Sequence, residues 1–222
     1  MVIKPSRGSE GRDVRIVRFH QDAFCSVDGR PCSEREVHER LWDGAGSDPQ
    51  IVTALVRNAE YARTLYPHTS NTIRILMMRD AKTGEPFVAA AVHRIGVEKS
   101  RPVDNFSAGG LAAEVDADSG VLSAACAKPV NGRIQRFSSH PETGATIEGI
   151  EVPGWSSMKD GLKDILRNIP GIKYVGWDIV MKKKGFKILE GNSRPGMRIL
   201  QIKKPLLDYQ RVRNFYEKNN VL

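Results

Sequence analysis

Two apolar stretches near the C-terminal end of the chain, KYVGWDIVM (173–181) and FKILEGN (186–192), constrain its fold more than any other feature. A short lysine turn at 182–184 separates them. Apolar runs that flank a short charged turn are typical of an antiparallel β-hairpin. We therefore expect these two stretches to pair, which fixes the positions of the polar residues that they carry.

Three side chains with oxygen atoms lie on this hairpin. Asp178 is in the first strand, and Glu190 and Asn192 end the second. Residues i and i+2 of a strand share a face, and a register consistent with the turn brings Asp178 beside the other two. Such oxygens suit Mg²⁺, which takes one or two carboxylates with phosphate oxygens and water. Pairing of the carboxylates with Arg or Lys neighbours on a solvated sheet face is the alternative, and the spacing leaves both open.

The N-terminal stretch IKPSRGSEGRDV is the second motif. It places Lys4 at the end of a predicted strand and follows it with a loop of small residues that contains Gly8 and Gly11. In such a loop, backbone N–H groups can approach phosphates while the lysine supplies a point charge. It is not a Walker A loop, because no Gly-Lys-Ser/Thr follows and the next element is predicted to be a strand. An ordinary hairpin turn is the alternative.

Periodicity, caps and turn residues predict the remaining elements. The predicted helices are 33–42, 57–66, 156–170 and 205–218, and the predicted strands are 50–56, 72–79, 86–95 and one within 121–127. The strand 50–56 is predicted to be buried. The stretch 100–155 is rich in Gly, Ser, Asp and Pro and predicts a long looped region, of the kind that is often functional.

Charge and composition narrow the class of protein. A net charge of +8 would suit an anionic partner, but the basic residues are scattered, so we do not expect nucleic acid as a partner. No stretch approaches the roughly 18 apolar residues of a membrane helix. The N-terminus lacks the layout of a signal peptide, which predicts a cytoplasmic protein. Cys25, Cys32 and Cys126 are widely spaced and predict reduced structural thiols.

Taken together, the two motifs resemble the ATP-grasp superfamily. In that family a Lys-Pro strand leads into a flexible glycine loop over the ATP phosphates, and an Asp strand with a Glu-x-Asn strand holds Mg²⁺. The phrases NTIRI, VDNFSAGG, HPETG, VPGW and LQI resemble more narrowly the sugar-transfer-associated ATP-grasp branch, related to alpha-L-glutamate ligases. The resemblance extends over nearly the whole chain and implies an α+β fold of two lobes that grip ATP.

The resemblance also implies a division of the chain. Residues 1–56 would be a partial nucleotide-lid lobe, and residues 57–222 a C-terminal lobe with the metal and substrate sites. Lys4 stands close to the N-terminus, whereas the family carries another lobe before the Lys-Pro strand. We therefore expect an N-terminally truncated ATP-grasp, and three explanations stay open: a fragment, a mis-started reading frame, or a reduced form whose missing lobe a partner supplies. A homodimer that buries the exposed face of the lobe is a further expectation.

On the nucleotide side, the resemblance implies that Lys4 contacts phosphate and that the glycine loop forms a lid. The strand 50–56 matches the hinge on which adenine rests, and the usual hinge glutamate is replaced, so backbone groups are the expected adenine partners. The implied nucleotide-binding residues are Lys4, Gly8, Ser9, Gly11, Thr53, Ala54 and Leu55.

On the metal and substrate side, the resemblance implies that Asp178, Glu190 and Asn192 hold Mg²⁺. Arg74 and Arg194 would lie near the transferring phosphoryl group or a substrate carboxylate, where a planar donor fork suits both anions. A strand-surface salt bridge is the alternative for Arg74. The implied substrate-side residues are Asn105, Gly109, Gly110 and His140, although a lone loop histidine is as often a plain surface residue.

The implied activity is that of an ATP-dependent carboxylate–amine ligase that forms an acyl phosphate, with ATP and Mg²⁺ as cofactors. Its partners would be a small carboxylate and an amine or similar nucleophile, and the family name implies a role in the modification of cell-surface polysaccharides or peptides. Two alternatives stay open: a phosphotransferase on the same fold, and a non-catalytic module that binds nucleotides or polyanions.

Overall fold

The structure is a computed structural model that describes residues 1–7, 13–20, 23–25, 31–43 and 49–222, with backbone only at 19–20, 23–25 and 40–43. Its strands are Val2–Pro5 (β1), Arg15–Ile16 (β2), Arg18–His20 (β3), Ala23–Cys25 (β4), Pro31–Cys32 (β5), Gln50–Thr53 (β6), Ile73–Arg79 (β7), Pro86–Ile95 (β8), Leu111–Glu114 (β9), Ala125–Cys126 (β10), Arg136–Phe137 (β11), Tyr174–Met181 (β12) and Phe186–Asn192 (β13). Its α-helices are Glu34–Asp43 (α1), Glu60–Leu65 (α2), Trp155–Arg167 (α3) and Gln210–Lys218 (α4).

The largest element of the fold is an antiparallel sheet of seven strands in the order β11-β10-β9-β8-β7-β12-β13. Strands β7 to β11 follow one another along the chain and pair as a meander. The β12–β13 hairpin, formed as predicted, joins this meander at β7. We call the junction between β7 and β12 the seam, because it pairs strands that are distant in sequence.

One face of this sheet carries the main hydrophobic core. Odd-numbered residues of β7, such as Ile73 and Ile75, pack with buried residues of α3. Met158, Leu162 and Leu166 recur every four residues along α3, so they form the apolar stripe of an amphipathic helix. At the end of β7, Arg79 donates to the backbone oxygens of Leu166 (2.6 Å) and Ile172 (3.0 Å), which secures the C-terminal end of α3.

The opposite face is covered over only part of its area. Leu76 and Met78 of β7 pack there against the C-terminal segment 199–215, including Val212 and Phe215 of α4. Arg74, the even-numbered residue at the other end of β7, shares this face but is charged. The face is therefore divided between an apolar end and a charged end.

The N-terminal elements form two small sheets, β2-β1-β6 and β3-β4-β5. Helix α1 begins with a capping box, in which the Glu36 carboxylate accepts from the Ser33 amide and the Glu36 amide donates to the Ser33 hydroxyl. The prediction that 50–56 is a buried strand is wrong. Strand β6 ends at Thr53, and Ile51 and Val52 are 40% and 52% exposed, because β6 lies at the edge of its sheet.

Several other boundaries differ from the sequence prediction. Helix α2 begins at Glu60, because Ala59 before it has a ψ of 159°, outside the helical range. The predicted helix 205–218 is a 3₁₀ turn at Leu206–Asp208 followed by α4. The looped region 100–155 contains two strands that were not predicted, β9 and β11. In the described part of the chain, no helix has the length and apolar character needed to cross a membrane.

Candidate functional site

A row of five residues crosses the partly covered face of the large sheet. Strand pairing places Glu114 opposite Val92, Val92 opposite Arg74, Arg74 opposite Asp178, and Asp178 opposite Glu190. Residues that face each other on neighbouring strands have their side chains on one face. Adjacent strands lie about 4.8 Å apart, so Arg74, Asp178 and Glu190 occupy roughly 10 Å of the sheet. The predicted register of the hairpin is thus confirmed.

Asp178 is the centre of this row. Its side chain is buried, and its carboxylate receives a bidentate pair of hydrogen bonds from Arg74, from Nε to Oδ1 and from Nη2 to Oδ2, both at 2.7 Å. Arg94 of β8 adds a third, from Nη2 to Oδ2 at 2.9 Å. The alternative of a salt bridge for Arg74 is therefore observed, but as a buried pair beside the predicted metal ligands.

The electrostatics of Asp178 follow from these contacts. Burial by itself would raise the pKa of the carboxyl, because it removes water from the charged form. The hydrogen bonds of Arg74 and the positive charges of Arg94 and Arg74 outweigh burial and hold the pKa of Asp178 below its ordinary value. Asp178 is therefore an anion at neutral pH, as a metal ligand must be.

Arg94 was not predicted from the sequence, although it makes the most extensive contacts of the site. Its Nε and Nη2 donate to the Thr72 hydroxyl at 2.8 and 2.5 Å, and Nη1 donates to Oδ1 of Asn105 at 3.3 Å. Asp104 lies behind it, with Oδ1 3.6 Å from its Nε. The signal in the sequence was a charged residue within the apolar stretch PFVAAAVHRI, where burial requires a partner.

The predicted substrate loop is attached to this network. Asp104 accepts hydrogen bonds from the amide and the hydroxyl of Thr72. Gly109 adopts a φ of 105°, which favours glycine, and the Gly110 amide closes the loop by donating to the Asn105 backbone oxygen at 3.0 Å. A Cβ at Gly110 would lie 2.8 Å from the Asp104 backbone oxygen, so only glycine permits this approach.

Glu190 and Asn192 lie on the solvent side of the row. The Asn192 amide nitrogen donates to the Gly176 oxygen and to Oε1 of Glu190, both at 3.3 Å, which leaves its Oδ1 without a partner among the described residues. Glu190 faces Asp178 and interacts with its carboxyl. Two facing carboxylates repel each other unless a proton or a cation lies between them.

This donor set fits Mg²⁺. A carboxylate oxygen has two lone pairs, and Oδ2 of Asp178 uses both on arginine donors, whereas Oδ1 uses one. Oδ1 of Asp178, the Glu190 carboxylate and Oδ1 of Asn192 therefore remain able to accept a cation. Hard oxygen ligands with at most two carboxylates are what Mg²⁺ takes, completed by water and phosphate.

Arg194 lies in the segment that follows β13. This segment folds back over the sheet, since a Cβ at Gly176 would lie 2.4 Å from Cβ of Pro195 and one at Gly196 would lie 3.9 Å from Nη1 of Arg74. Arg194 itself is exposed and bonds to no other described residue. Its predicted role near the phosphoryl group stays a prediction.

His140 is buried, and both of its ring nitrogens are engaged by the backbone. Nε2 donates to the Gly96 oxygen at 2.8 Å, and Nδ1 accepts from the amides of Glu142 and Thr143, both at 3.2 Å. Its ring stacks on Tyr66 at a centroid distance of 5.3 Å. These contacts give His140 a structural role, and its predicted contact with substrate is untested.

Two of the predicted nucleotide-side residues, Lys4 and Thr53, lie in the first small sheet. Lys4 is half-buried in β1, opposite Ile51 of β6, and alternation places it on the face away from buried Ile3. Thr53 ends β6, and Ala54 and Leu55 follow it in an exposed segment. Gly8, Ser9 and Gly11 lie outside the described residues. Contact of any of these residues with ATP stays a prediction.

Comparison with known proteins shows which family the sequence matches. A family model described as "Sugar-transfer associated ATP-grasp" matches residues 1–214. A search of curated proteins and a search of solved structures each found no match.

Proposed function

Because the chain belongs to the sugar-transfer-associated ATP-grasp family, whose fold class and ATP-dependent ligase or kinase type of activity it shares, we propose that it is a carboxylate–amine ligase. It would bind ATP with Mg²⁺ between a lid lobe, residues 1–56, and a C-terminal lobe, residues 57–222. An enzyme that consumes ATP requires a compartment that supplies it, so the cytoplasm is its proposed location.

The observation that supports this proposal is the set of oxygen donors beside a buried arginine pair. Asp178, Glu190 and Asn192 would hold Mg²⁺ through the free positions of their oxygens. Bound Mg²⁺ would neutralise the negative charge that develops on the phosphates during transfer. Arg74 uses Nε and Nη2 on Asp178 and leaves Nη1 without a partner among the described residues, so Nη1 can donate to a phosphate or carboxylate oxygen.

The proposed reaction has two steps. A carboxylate oxygen of the substrate attacks the γ-phosphorus of ATP, and ADP leaves with the electrons of the broken bond. The amine then attacks the acyl carbon, phosphate leaves, and the extra proton of the nitrogen passes to solvent. The protein contributes positioning and charge neutralisation, which dominate catalysis of phosphoryl transfer.

The first test is binding. Titration with Mg²⁺-ATP by calorimetry is expected to give a saturable heat that the Glu190→Ala, Asn192→Ala variant loses. Glu217→Ala, an exposed carboxylate on α4, is the matched control and should bind like the wild type. Absence of binding by the folded wild type would contradict the proposal.

The second test separates the ligase from the two alternatives. A panel of small carboxylates is incubated with ATP, Mg²⁺ and hydroxylamine, which converts an acyl phosphate into a coloured hydroxamate. Hydroxamate formation that requires both protein and carboxylate supports the ligase. ADP release with a hydroxyl acceptor and no hydroxamate would indicate a phosphotransferase, and binding without turnover would indicate a nucleotide-binding module.

A further inference from the structure

Arg94 is the only described residue of the site that bonds both to a predicted metal ligand and to the predicted substrate loop. On one side its Nη2 bonds Oδ2 of Asp178 at 2.9 Å, and on the other its Nη1 bonds Oδ1 of Asn105 at 3.3 Å. These partners lie on β12 and in the loop after β8, more than 70 residues apart in sequence. A single planar guanidinium therefore connects the predicted metal ligand to the predicted substrate loop.

The bond to Asp178 determines which carboxylate oxygen is free. Arg74 alone would leave one lone pair on each oxygen, so a cation could bind at either. Arg94 fills the second position on Oδ2, so the arginine hydrogen bonds leave a free lone pair on Oδ1 alone. Partners behind a metal ligand orient it and tune its affinity in this way.

The charge of Arg94 is compensated within the network. Burial disfavours the guanidinium cation, but the carboxylates of Asp104 and Asp178 both lie close to it, and the Thr72 hydroxyl accepts two of its hydrogen bonds. Asp104 in turn holds the Thr72 amide and hydroxyl. Arg94 thus belongs to a satisfied buried network, and its guanidinium is held in one orientation.

We propose that Arg94 is a positioning residue which orients Oδ1 of Asp178 toward the metal and, with the same guanidinium, holds Asn105 of the substrate loop at a fixed distance from it. This inference rests on the proposed function, because it assigns the means by which metal and substrate are aligned at that site. Lysine could not replace arginine, since its single ammonium cannot reach Asp178 and Asn105 in the planar geometry of a fork.

The test compares three variants by two readouts that need no knowledge of the substrate. Arg94→Lys removes the fork, Asn105→Ala removes only the bond to the loop, and Arg79→Lys is the matched control. Arg79 is also a partly buried arginine of this sheet, but it bonds α3 backbone oxygens, roughly 17 Å along β7 from Arg74. The readouts are the Mg²⁺-ATP dissociation constant by calorimetry and hydrogen exchange of the loop amides 104–110.

Arg94→Lys is expected to weaken Mg²⁺-ATP binding by roughly 10- to 100-fold, as for other partners of metal ligands, and to speed exchange in the loop. Asn105→Ala should speed loop exchange and leave the dissociation constant unchanged. Arg79→Lys should lower the melting temperature and change neither readout. Wild-type Mg²⁺-ATP affinity in folded Arg94→Lys would overturn the inference. Unchanged loop exchange in Asn105→Ala would also overturn it, and this second result can be obtained even if Arg94→Lys does not fold.

The experiments distinguish failure of the role proposed for Arg94 from failure of the proposed ligase function. A wild type that binds Mg²⁺-ATP but forms no hydroxamate refutes the ligase and leaves the role of Arg94 decided by the two readouts. A wild type that forms hydroxamate while Arg94→Lys behaves like Arg79→Lys keeps the ligase and refutes the role of Arg94. A folded wild type that binds no Mg²⁺-ATP refutes both.

Discussion

At the scale of single residues, the charges around Asp178 balance in pairs. Arg74 pairs with Asp178 and Arg94 with Asp104, and Glu190 remains as the negative charge at the open side of the row. A buried ion pair is compensated only while both partners are present, because removal of one leaves the other buried and unpaired. Asp178 is shared by two arginines, so it is the residue whose loss leaves the most charge uncompensated.

Asp178→Asn tests this balance. The variant keeps the shape of the side chain but leaves a buried guanidinium, Arg94, and a partly buried one, Arg74, facing a neutral amide, so we expect the free energy of unfolding to fall by about 3 kcal/mol. Urea denaturation measures it. Asp160→Asn, which removes one partner of an exposed pair with Lys163, is the control and should change stability by less than about 0.5 kcal/mol. Equal effects of the two substitutions would contradict the role given to Asp178.

At the scale of elements, the site depends on how closely the segment after β13 approaches β12. Gly176 faces Asn192 across the hairpin, and Pro195 occupies the space where a side chain at 176 would lie. The segment is thereby seated on the sheet next to two predicted metal ligands. The missing side chain of Gly176 is thus part of the site's geometry.

Gly176→Ala is expected to displace this segment. A Cβ only 2.4 Å from Cβ of Pro195 cannot be accommodated without movement, so we expect a loss of about 1–3 kcal/mol in stability and weaker Mg²⁺-ATP binding. Gly171→Ala is the matched control, because a Cβ there meets no atom within 4 Å and should change neither measurement. Unchanged stability and affinity in Gly176→Ala would show that the segment is not held by this contact.

The hairpin could be predicted from the sequence because both of its strands show a clear pattern on either side of a short turn. Its register then followed from alternation, which brought Asp178 opposite Glu190. Strand β9 could not be predicted, since its LAAE sequence has little strand preference and forms by pairing with β8. The role of Arg94 could not be predicted either, because its partners come from three separate regions of the chain and meet only in the folded sheet.

At the scale of the whole molecule, stability is linked to pH through the main core. His93 of β8 is buried, donates from Nδ1 to the Arg94 backbone oxygen at 3.1 Å and accepts from the Tyr61 hydroxyl at Nε2 at 3.0 Å. Burial lowers the pKa of His93 to about 4, against which the Arg94 oxygen and the charge of Asp104 act only partly. The folded protein therefore keeps this ring neutral at a pH where the unfolded chain protonates it.

Stability is expected to fall as the pH drops from about 6.5, where His93 of the unfolded chain takes up a proton, to about 4, where the folded protein does so. The loss attributable to His93 between about pH 7.5 and about pH 4.5 is roughly 2.5 kcal/mol. Urea denaturation at both values should show this loss reduced in His93→Gln. His68→Gln, at an exposed position, is the control and should keep the wild-type dependence of stability on pH. If His93→Gln also kept that dependence, His93 would be excluded as its cause.

The seam has a consequence for the order in which the chain folds. Strands β7 to β11 and the β12–β13 hairpin each pair with near neighbours in sequence, whereas the bond from Arg74 to Asp178 joins residues 104 positions apart. Pairing of distant strands carries the larger loop-closure cost and is expected to come last in folding. Before that step, the arginine and the carboxylates lie in separate substructures, and no incomplete intermediate can present them together. A ligand of this site thus binds the finished sheet alone, and by mass action it stabilises the native state over every state in which the seam is unpaired.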